Sequence, residues 1–389
     1  MNGTICCHVC GAPGIEFVPG FESLHRVTSD CRPWPKGGRL GVCKTCNCVQ
    51  KVNDAAWQAE IQNIYETYSI YHQADGSEQS VFEQATGAAA SRSSRLLAQL
   101  RSHVQLPESG RMLDMGCGNG AFLRAFSESL PSWSLAGTEL NDKYQAIVEG
   151  IHGVKALYIC ALEKVPGKFD LISMIHVLEH IPGPTETLVS IGGKLETGGL
   201  LVIEVPDYSS NPFDLLIADH SSHFSAATLS RIVQKAGYEL VAVTGEWVPK
   251  ELTVVARKSQ TIGTDKTPNT DAMQRVTGSV HWLQAAATEA RRYAGMGAFG
   301  LFGTSIAATW LASELEGNVS FFVDEDQSRV GRTFMGKPVY HPKDVPAGSR
   351  VFIGLPSQIS EKLKARLLQT ARNYELILPP TLPARPQSR

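Results

Sequence analysis

The sequence predicts an α/β protein: a mostly parallel central sheet, a small cysteine-rich segment before it, and a second, smaller α/β unit after it. Three observations predict this. Strand-like apolar runs alternate with helical patterns from residue 111 to about residue 258. A glycine loop, MLDMGCGNGAFL at residues 112–123, joins the first strand to a helix. Two Cys-x-x-Cys pairs precede this region, and a strand–glycine-turn–helix pattern recurs in FGLFGTSIAATWLASEL at residues 299–315.

Size and composition set the bounds. A chain of 389 residues is too long for one ordinary core, so two or three domains are expected. Its 36 basic and 38 acidic side chains nearly cancel, which removes any global reason to bind nucleic acid or an anionic membrane. No apolar run reaches membrane-span length and no signal-peptide core opens the chain, so a cytoplasmic protein acting on a small molecule is expected. Arg92, Arg95 and Arg101 read as a solvated helix face. Seven of the nine cysteines lie before residue 50, a spacing that favours metal in a reducing compartment over disulfides.

The first segment, residues 1–54, carries Cys7 and Cys10 in CHVCG and Cys43 and Cys46 in CKTC. Two such knuckles across a turn-rich loop suit a tetrahedral thiolate site for structural Zn²⁺. Little core is available there, so metal would help it fold. Cys6 or Cys48 could replace a neighbouring ligand, and Cys31 and His8 are spare.

Residues 55–258 hold the expected catalytic unit. Residues 55–103 read as helical, and Tyr65, Tyr68 and Tyr71 at i, i+3, i+6 would share one face, either as core or as a lid with phenols over a substrate. Strands are predicted at residues 111–115, 134–139, 156–159, 169–175 and 200–205, with 241–244 and 251–256 as an antiparallel closing pair. Ligands bind at the carboxyl ends of such strands. That rule gathers Asp114, Gly116, Cys117, Gly118, Gly120 and Phe122 of the glycine loop with Glu139, Leu140, Ala161, Leu162, Ile175 and His176. Asp114 would meet an ammonium or a water, Glu139 suits ribose hydroxyls, and Cys160, Ala161 and Leu162 would edge an adenine. The glycines alone also fit a dinucleotide fingerprint.

The loop residues, Glu139 and FDLISMIHVLEHIPGP at residues 169–184 together resemble the class I S-adenosylmethionine-dependent methyltransferases, whose loop is hLDhGCGxG and whose fourth strand often ends in HVLEH. That resemblance implies S-adenosylmethionine as cofactor. After the fifth strand, DHSSHFS supplies Asp219, His220 and His223, followed by Ser225 as a helix N-cap. Methyl transfer from a sulfonium needs alignment and removal of an acceptor proton, work suited to a neutral histidine. His220 is the expected base; His176 and His180 read as structural or cofactor-adjacent.

Residues 259–273 read as a linker, with a helix from about residue 276 to 294. Strands at residues 319–326 and 351–356 make the last segment, 259–389, a Rossmann-like unit with a disordered tail from residue 379. Nearly the whole chain resembles the three-domain sugar C-methyltransferases that act on nucleotide-linked deoxysugars, through the zinc knuckles (CKTCNCVQ, residues 43–50), the tyrosine segment and the YHEHxxYFS-like stretch. Asp219 stands where that family has the motif's acting glutamate, Ile217 where it has a tyrosine, and His223 replaces the second tyrosine, so carbon and oxygen both stay open as acceptor atoms. Residues 299–342 are also similar to the nucleotide-sugar-binding domain preceding some sugar acetyltransferases, so a sugar nucleotide is expected between the last two units.

Overall fold

In the computed structural model, residues 5–66, 80–82, 89–259, 271–369 and 373–382 are described. Tyr68 and Tyr71 lie outside the described residues.

The N-terminal segment folds as short strands β1 (Ile15–Phe17), β2 (Arg26–Val27), β3 (Pro33–Trp34), β4 (Leu40–Cys43) and β5 (Val49–Lys51). Helix α1 (Ala55–Glu66), the β6 (Ser80–Phe82) and β7 (Ala89–Ser91) pair, and α2 (Arg92–His103) follow. The expected run of helix over 55–103 is therefore interrupted by a small antiparallel ribbon.

The central unit runs β8 (Arg111–Met115), α3 (Ala121–Ser129), β9 (Ser134–Thr138), α4 (Gln145–Glu149), β10 (Val154–Tyr158), β11 (Phe169–Ile175), α5 (Pro184–Lys194) and β12 (Leu195–Pro206). It continues with β13 (Ser222–His223), α6 (Ala226–Lys235), β14 (Tyr238–Thr244) and β15 (Glu251–Lys258). Its seven-stranded sheet has the order β10-β9-β8-β11-β12-β15-β14. Five strands are parallel, and β15 and β14 close the sheet as the predicted antiparallel pair. Ile172, Met174, Val202 and Ile203 are fully buried, as a strand covered on both faces requires. The chain reverses direction across the sheet between β8 and β11, which opens a crevice at their carboxyl ends.

The last unit contains α7 (Ala272–Ala294), β16 (Phe299–Phe302), α8 (Ile306–Glu314), β17 (Phe321–Val323), β18 (Thr333–Phe334), β19 (Lys337–Tyr340), β20 (Arg350–Phe352), α9 (Ser357–Leu367) and β21 (Glu375–Ile377). Its sheet, β18-β19-β17-β16-β20-β21, is parallel apart from β18. Helix α7 begins at Ala272, inside the stretch read as linker, because Asp271 caps it by accepting the Gln274 N–H at 3.2 Å.

The N-terminal segment does not stand alone. Its antiparallel sheet β1-β4-β5 is completed by β13 from the central unit, pairing Ser222 with Gln50 and His223 with Val49. Val18, Phe21, Leu24 and Leu40 share one core with Phe213 and Leu215 of the loop after β12 and with Trp282, Leu283 and Trp310 of the last unit. The small segment thus borrows the core it could not build itself. Among the described residues, no helix is long and apolar enough to cross a membrane.

Candidate functional site

A cavity of about 330 Å³ opens at the carboxyl ends of β8, β11 and β12. Asp114, Gly116, Cys117, Gly118, Phe122, Ile175 and His176 line one side. The glycine loop is shaped by sterics. Gly116 has φ +62°, and a Cβ there would lie 2.7 Å from Val177 Cγ2. Gly120 has φ +80° and does not line the cavity, and a Cβ there would lie 2.5 Å from Ile151 Cδ1. Asp114 is buried and accepts the Ser173 hydroxyl at 2.6 Å. Burial, with Glu139 nearby, pushes its carboxyl up to about 7.

Glu139 ends β9 and receives the Gly118 N–H at 2.5 Å and the Leu140 N–H at 3.1 Å. Leu140 is 86 % exposed beside it, a large apolar side chain left in water. Ala161 is exposed and Leu162 half-buried; neither lines the cavity, and both sit at the short helical turn Leu162–Lys164 beyond β10. The loop, the acid and the exposed apolar side chain fit an adenosyl group with a charged amino-acid tail.

The opposite wall is made by the loop after β12. His220 lines the cavity, buried, with Nδ1 2.7 Å from Asp214 Oδ1. Burial lowers its proton affinity, but the hydrogen bond and charge of Asp214, with Glu179 and Asp219, raise it above the ordinary histidine value. Asp214 is in turn held well below the usual carboxylate range: burial opposes ionisation, and His223 and His220 overcome it. Sequence reasoning missed Asp214, six residues before His220; only a three-dimensional turn brings it there.

Two expectations need correction. Asp219 does not present its carboxylate to the cavity; it accepts the Ser29 N–H at 2.8 Å and the Ser29 hydroxyl at 2.5 Å, tying the N-terminal segment to this loop. His223 is fully buried outside the cavity, with Nδ1 2.7 Å from Asp214 Oδ2. It occupies the strand that completes the N-terminal sheet, which turns it inward.

His180, read as structural or cofactor-adjacent, stands beside His220 with ring centroids 4.6 Å apart. Its Nδ1 lies 3.1 Å from the Asp219 carbonyl and 3.2 Å from the Tyr65 hydroxyl. Tyr65 thus reaches the site from α1. His176 has φ +55° and meets Glu179 at 3.2 Å and Glu204 and Glu251 at 3.6 Å. Burial works against its charge, but Glu251, Glu179 and Glu204 raise it to about 10. Arg92, expected in solvent, lies 3.8 Å from Glu251 and lines the cavity, and Arg95 donates to the Trp247 carbonyl at 2.6 Å. The apolar face of α2 packs against the sheet and carries these arginines inward.

The third wall comes from outside the central unit. Ser29, Asp30 and Cys31 of the N-terminal segment and Ser305, Ile306, Ala307 and Arg329 of the last unit complete the cavity. Ser305–Ala307 form the N-terminal end of α8, whose free N–H groups favour an anion.

Away from the cavity, Cys7, Cys10, Cys43 and Cys46 bring their four sulfurs within 4.8 Å of one another. Cys7 and Cys46 are 3.6 Å apart, as are Cys10 and Cys43. Sulfurs bound tetrahedrally to one zinc ion lie about 3.8 Å apart, so the four residues fit that ion. The N–H groups of Val9 and Cys46 point at Cys7 and Cys43 sulfur, both at 3.4 Å. Cys6 is exposed and Cys48 is buried outside this group. Glu179, His180 and His220 also bring ligand-type atoms within 4.8 Å, as do Asp214, His220 and His223, where mutual hydrogen bonds account for the approach.

Comparison with known proteins bears on the central unit. Residues 83–243 match the family model described as a methyltransferase domain. The chain is 22 % identical over 171 residues to a ubiquinone biosynthesis O-methyltransferase of Burkholderia pseudomallei (strain 1710b), covering 38 % of this chain and 72 % of that protein. It is 23 % identical over 158 residues to the protein of the same name from Azoarcus sp. (strain BH72), covering 35 % and 66 %. A solved S-adenosylmethionine-dependent methyltransferase from Mesorhizobium loti superposes with a TM-score of 0.35 at 20 % identity, over 42 % of this chain and 97 % of that one. The 1,6-didemethyltoxoflavin-N1-methyltransferase of Burkholderia thailandensis, solved with S-adenosylhomocysteine, gives 0.40 at 17 % identity, over 57 % and 96 %. With its glycine loop read as the cofactor loop rather than a dinucleotide fingerprint, the chain is an S-adenosylmethionine-dependent methyltransferase carrying a class I methyltransferase domain over residues 83–243.

Proposed function

We propose that this enzyme methylates a nucleotide-linked sugar or a related glycan, at carbon or oxygen, with His220 as general base. One observation carries the reading: His220, its Nδ1 fixed by Asp214 at 2.7 Å, faces a cavity bounded on one side by the glycine loop and on another by the α8 N-terminus and Arg329. S-adenosylmethionine supplies an activated methyl group on sulfur. The chain's own residues bind, align and deprotonate.

Asp114 attracts the amino-acid ammonium, Glu139 takes the ribose hydroxyls, and Leu140 with Ala161 and Leu162 covers the adenine. Gly116, Cys117, Gly118, Phe122, Ile175 and His176 shape the floor of that pocket. His220 removes the acceptor proton, while His180 and Tyr65 position the acceptor from the same side. The helix terminus at Ser305 and the Arg329 guanidinium suit a diphosphate. Zinc on the four cysteines holds the N-terminal segment in shape and takes no part in the chemistry.

Calorimetric titration tests this. S-adenosylhomocysteine is added first, then a panel of sugar nucleotides in its presence. Binding of both, the second strengthened by the first, supports the reading; tight binding of the first with no response to any sugar nucleotide removes it. With an acceptor in hand, His220→Ala should lower turnover by roughly two to four orders of magnitude with cofactor affinity unchanged. A second reading, methyl transfer to another small metabolite, is favoured by the similarity to proteins named ubiquinone biosynthesis O-methyltransferases. The same titration separates the two.

A further inference from the structure

The site described so far leaves one buried group unused. Lys51 ends β5, five residues after the last of the four clustered cysteines, and is 2 % exposed. Its Nζ lies 2.5 Å from the Leu215 carbonyl, 3.0 Å from His223 Nε2 and 4.6 Å from the centre of the Phe21 ring. From there the contacts run on without a gap. His223 Nδ1 meets Asp214 Oδ2 at 2.7 Å, and Asp214 Oδ1 meets His220 Nδ1 at 2.7 Å. His220 lines the cavity; Lys51 and His223 do not. A buried ammonium is costly, and nothing in the binding of cofactor or acceptor explains this one.

Donor and acceptor rules fix the direction of every bond in this chain. A protonated lysine has three donors and no acceptor, and a carboxylate only accepts. With Lys51 donating to Nε2, His223 must accept there and carry its proton on Nδ1. That proton is donated to Asp214 Oδ2. The other Asp214 oxygen then accepts from His220 Nδ1–H, which leaves the lone pair of His220 Nε2 toward the cavity. The Asp214 carboxylate holds both Nδ1 protons whatever Lys51 does; what Lys51 decides is whether His223 Nε2 is free. Without the ammonium there, that nitrogen can bind a second proton, and a cationic His223 would draw on the Asp214 charge that otherwise serves His220.

We propose that Lys51 is a positioning residue for the base: by occupying His223 Nε2 it keeps His223 neutral, which leaves the charge of Asp214 to His220. This rests on the reading of His220 as base, and it adds that the N-terminal segment takes part in catalysis rather than in shape alone. The charged groups around Lys51 are Arg26, Glu60, Asp214 and Asp219. Those around His220 are Asp214, Glu179 and Asp219, with His180 and His223 as neighbouring rings. Burial and Arg26 lower the Lys51 ammonium to about 7, against Asp214, Glu60 and Asp219.

The test needs no substrate. Full-length protein labelled with ¹⁵N-histidine is examined by long-range ¹H–¹⁵N correlation from pH 6 to 8, as wild type and as Lys51→Met. In the wild type, His223 should stay neutral down to pH 6 with its proton on Nδ1, and neutral His220 should carry its proton on Nδ1. In Lys51→Met, His223 should take up a second proton, at Nε2, within this range, and the His220 midpoint should fall by about half a pH unit or more, threefold in proton affinity. A wild-type His223 that carries its proton on Nε2 alone overturns the proposal. So does a folded Lys51→Met protein whose two histidines behave as in the wild type. Should that variant not fold, the wild type decides: a His223 that takes a second proton above pH 6 overturns the proposal. Because no turnover is read, this result is independent of His220→Ala: full turnover in that variant removes the base, whereas unchanged histidine spectra remove the relay.

Discussion

At the level of a single residue, the proposed binding mode makes Asp114 the group that sets the pH dependence of cofactor binding. Its carboxyl is pushed up to about 7 from an ordinary value of 3.8, chiefly by burial. The raised value has a definite sign. The folded protein holds a proton that the unfolded chain releases, so Asp114 supports folding fully below the ordinary carboxylate value and withdraws that support as pH rises through about 7. A cationic cofactor needs the ionised form. Affinity for S-adenosylmethionine should therefore fall about tenfold per pH unit below 7 and level off above it. Asp114→Asn should flatten that profile and weaken binding at pH 8; a wild-type profile flat from pH 5.5 to 8 would deny Asp114 the role. The glycine loop, Asp114 and Glu139 were legible in the sequence because they lie within a few residues of a strand end, and the strand rule places them. Asp214, His180 and Lys51 were not. Each reaches the site by a tertiary contact between segments that no local pattern joins.

At the scale of elements, the segment 217–224, which carries the proposed base, is held from outside its own sheet. β13 pairs with β5, the Ala218 N–H reaches the Val27 carbonyl at 2.8 Å, and the Lys51 N–H reaches the Ser221 carbonyl at 2.9 Å. Arg231 on α6 adds a bond to the Cys46 carbonyl at 2.6 Å. Cys43 ends β4 next to this pairing, and Gln50, paired with Ser222, donates to the Cys7 sulfur at 3.1 Å, so order at a bound metal should be transmitted to the segment carrying His220. Metal analysis should find about one Zn per chain. Cys43→Ser, or chelation, should abolish it and raise amide exchange in residues 217–224 by about tenfold or more, while β8 to β12 stay protected. Zn retained in full by Cys43→Ser would count against the assigned ligands; metal loss with exchange unchanged would break the link to the loop. The central strands were readable from alternation alone, with β8 and β11 ending where the apolar runs end. The two-residue β13 was not, since a strand so short owes its existence to its partner.

For the whole molecule, the cleft is the place where three stretches of sequence meet, and it suits an acceptor with an anionic end. Residues Ser29–Cys31, the central loops and the α8 N-terminus face one cavity, and a shared core of N-terminal and last-unit side chains keeps them in register. Arg329 lines the cavity beside the α8 N-terminus, where the proposed anion would lie. Its guanidinium donates to the Thr304 hydroxyl at 2.8 Å and stands 3.6 Å from Asp324 and Asp326, which hold it in place, one-tenth exposed, on the cavity wall. A diphosphate would gain a charge-assisted contact worth about 1.5–3 kcal/mol there, or roughly tenfold to a hundredfold in affinity. Arg329→Met should therefore weaken the sugar nucleotide by that factor and leave S-adenosylhomocysteine binding unchanged, because Asp114 and the glycine loop line a different part of the cavity. It should also lower thermal stability slightly, since Asp324 and Asp326 lose their counter-charge. Intact cofactor binding separates the two effects: equal loss of both ligands would mean a damaged fold, and equal retention of both would mean that the acceptor's charged end lies elsewhere than at α8.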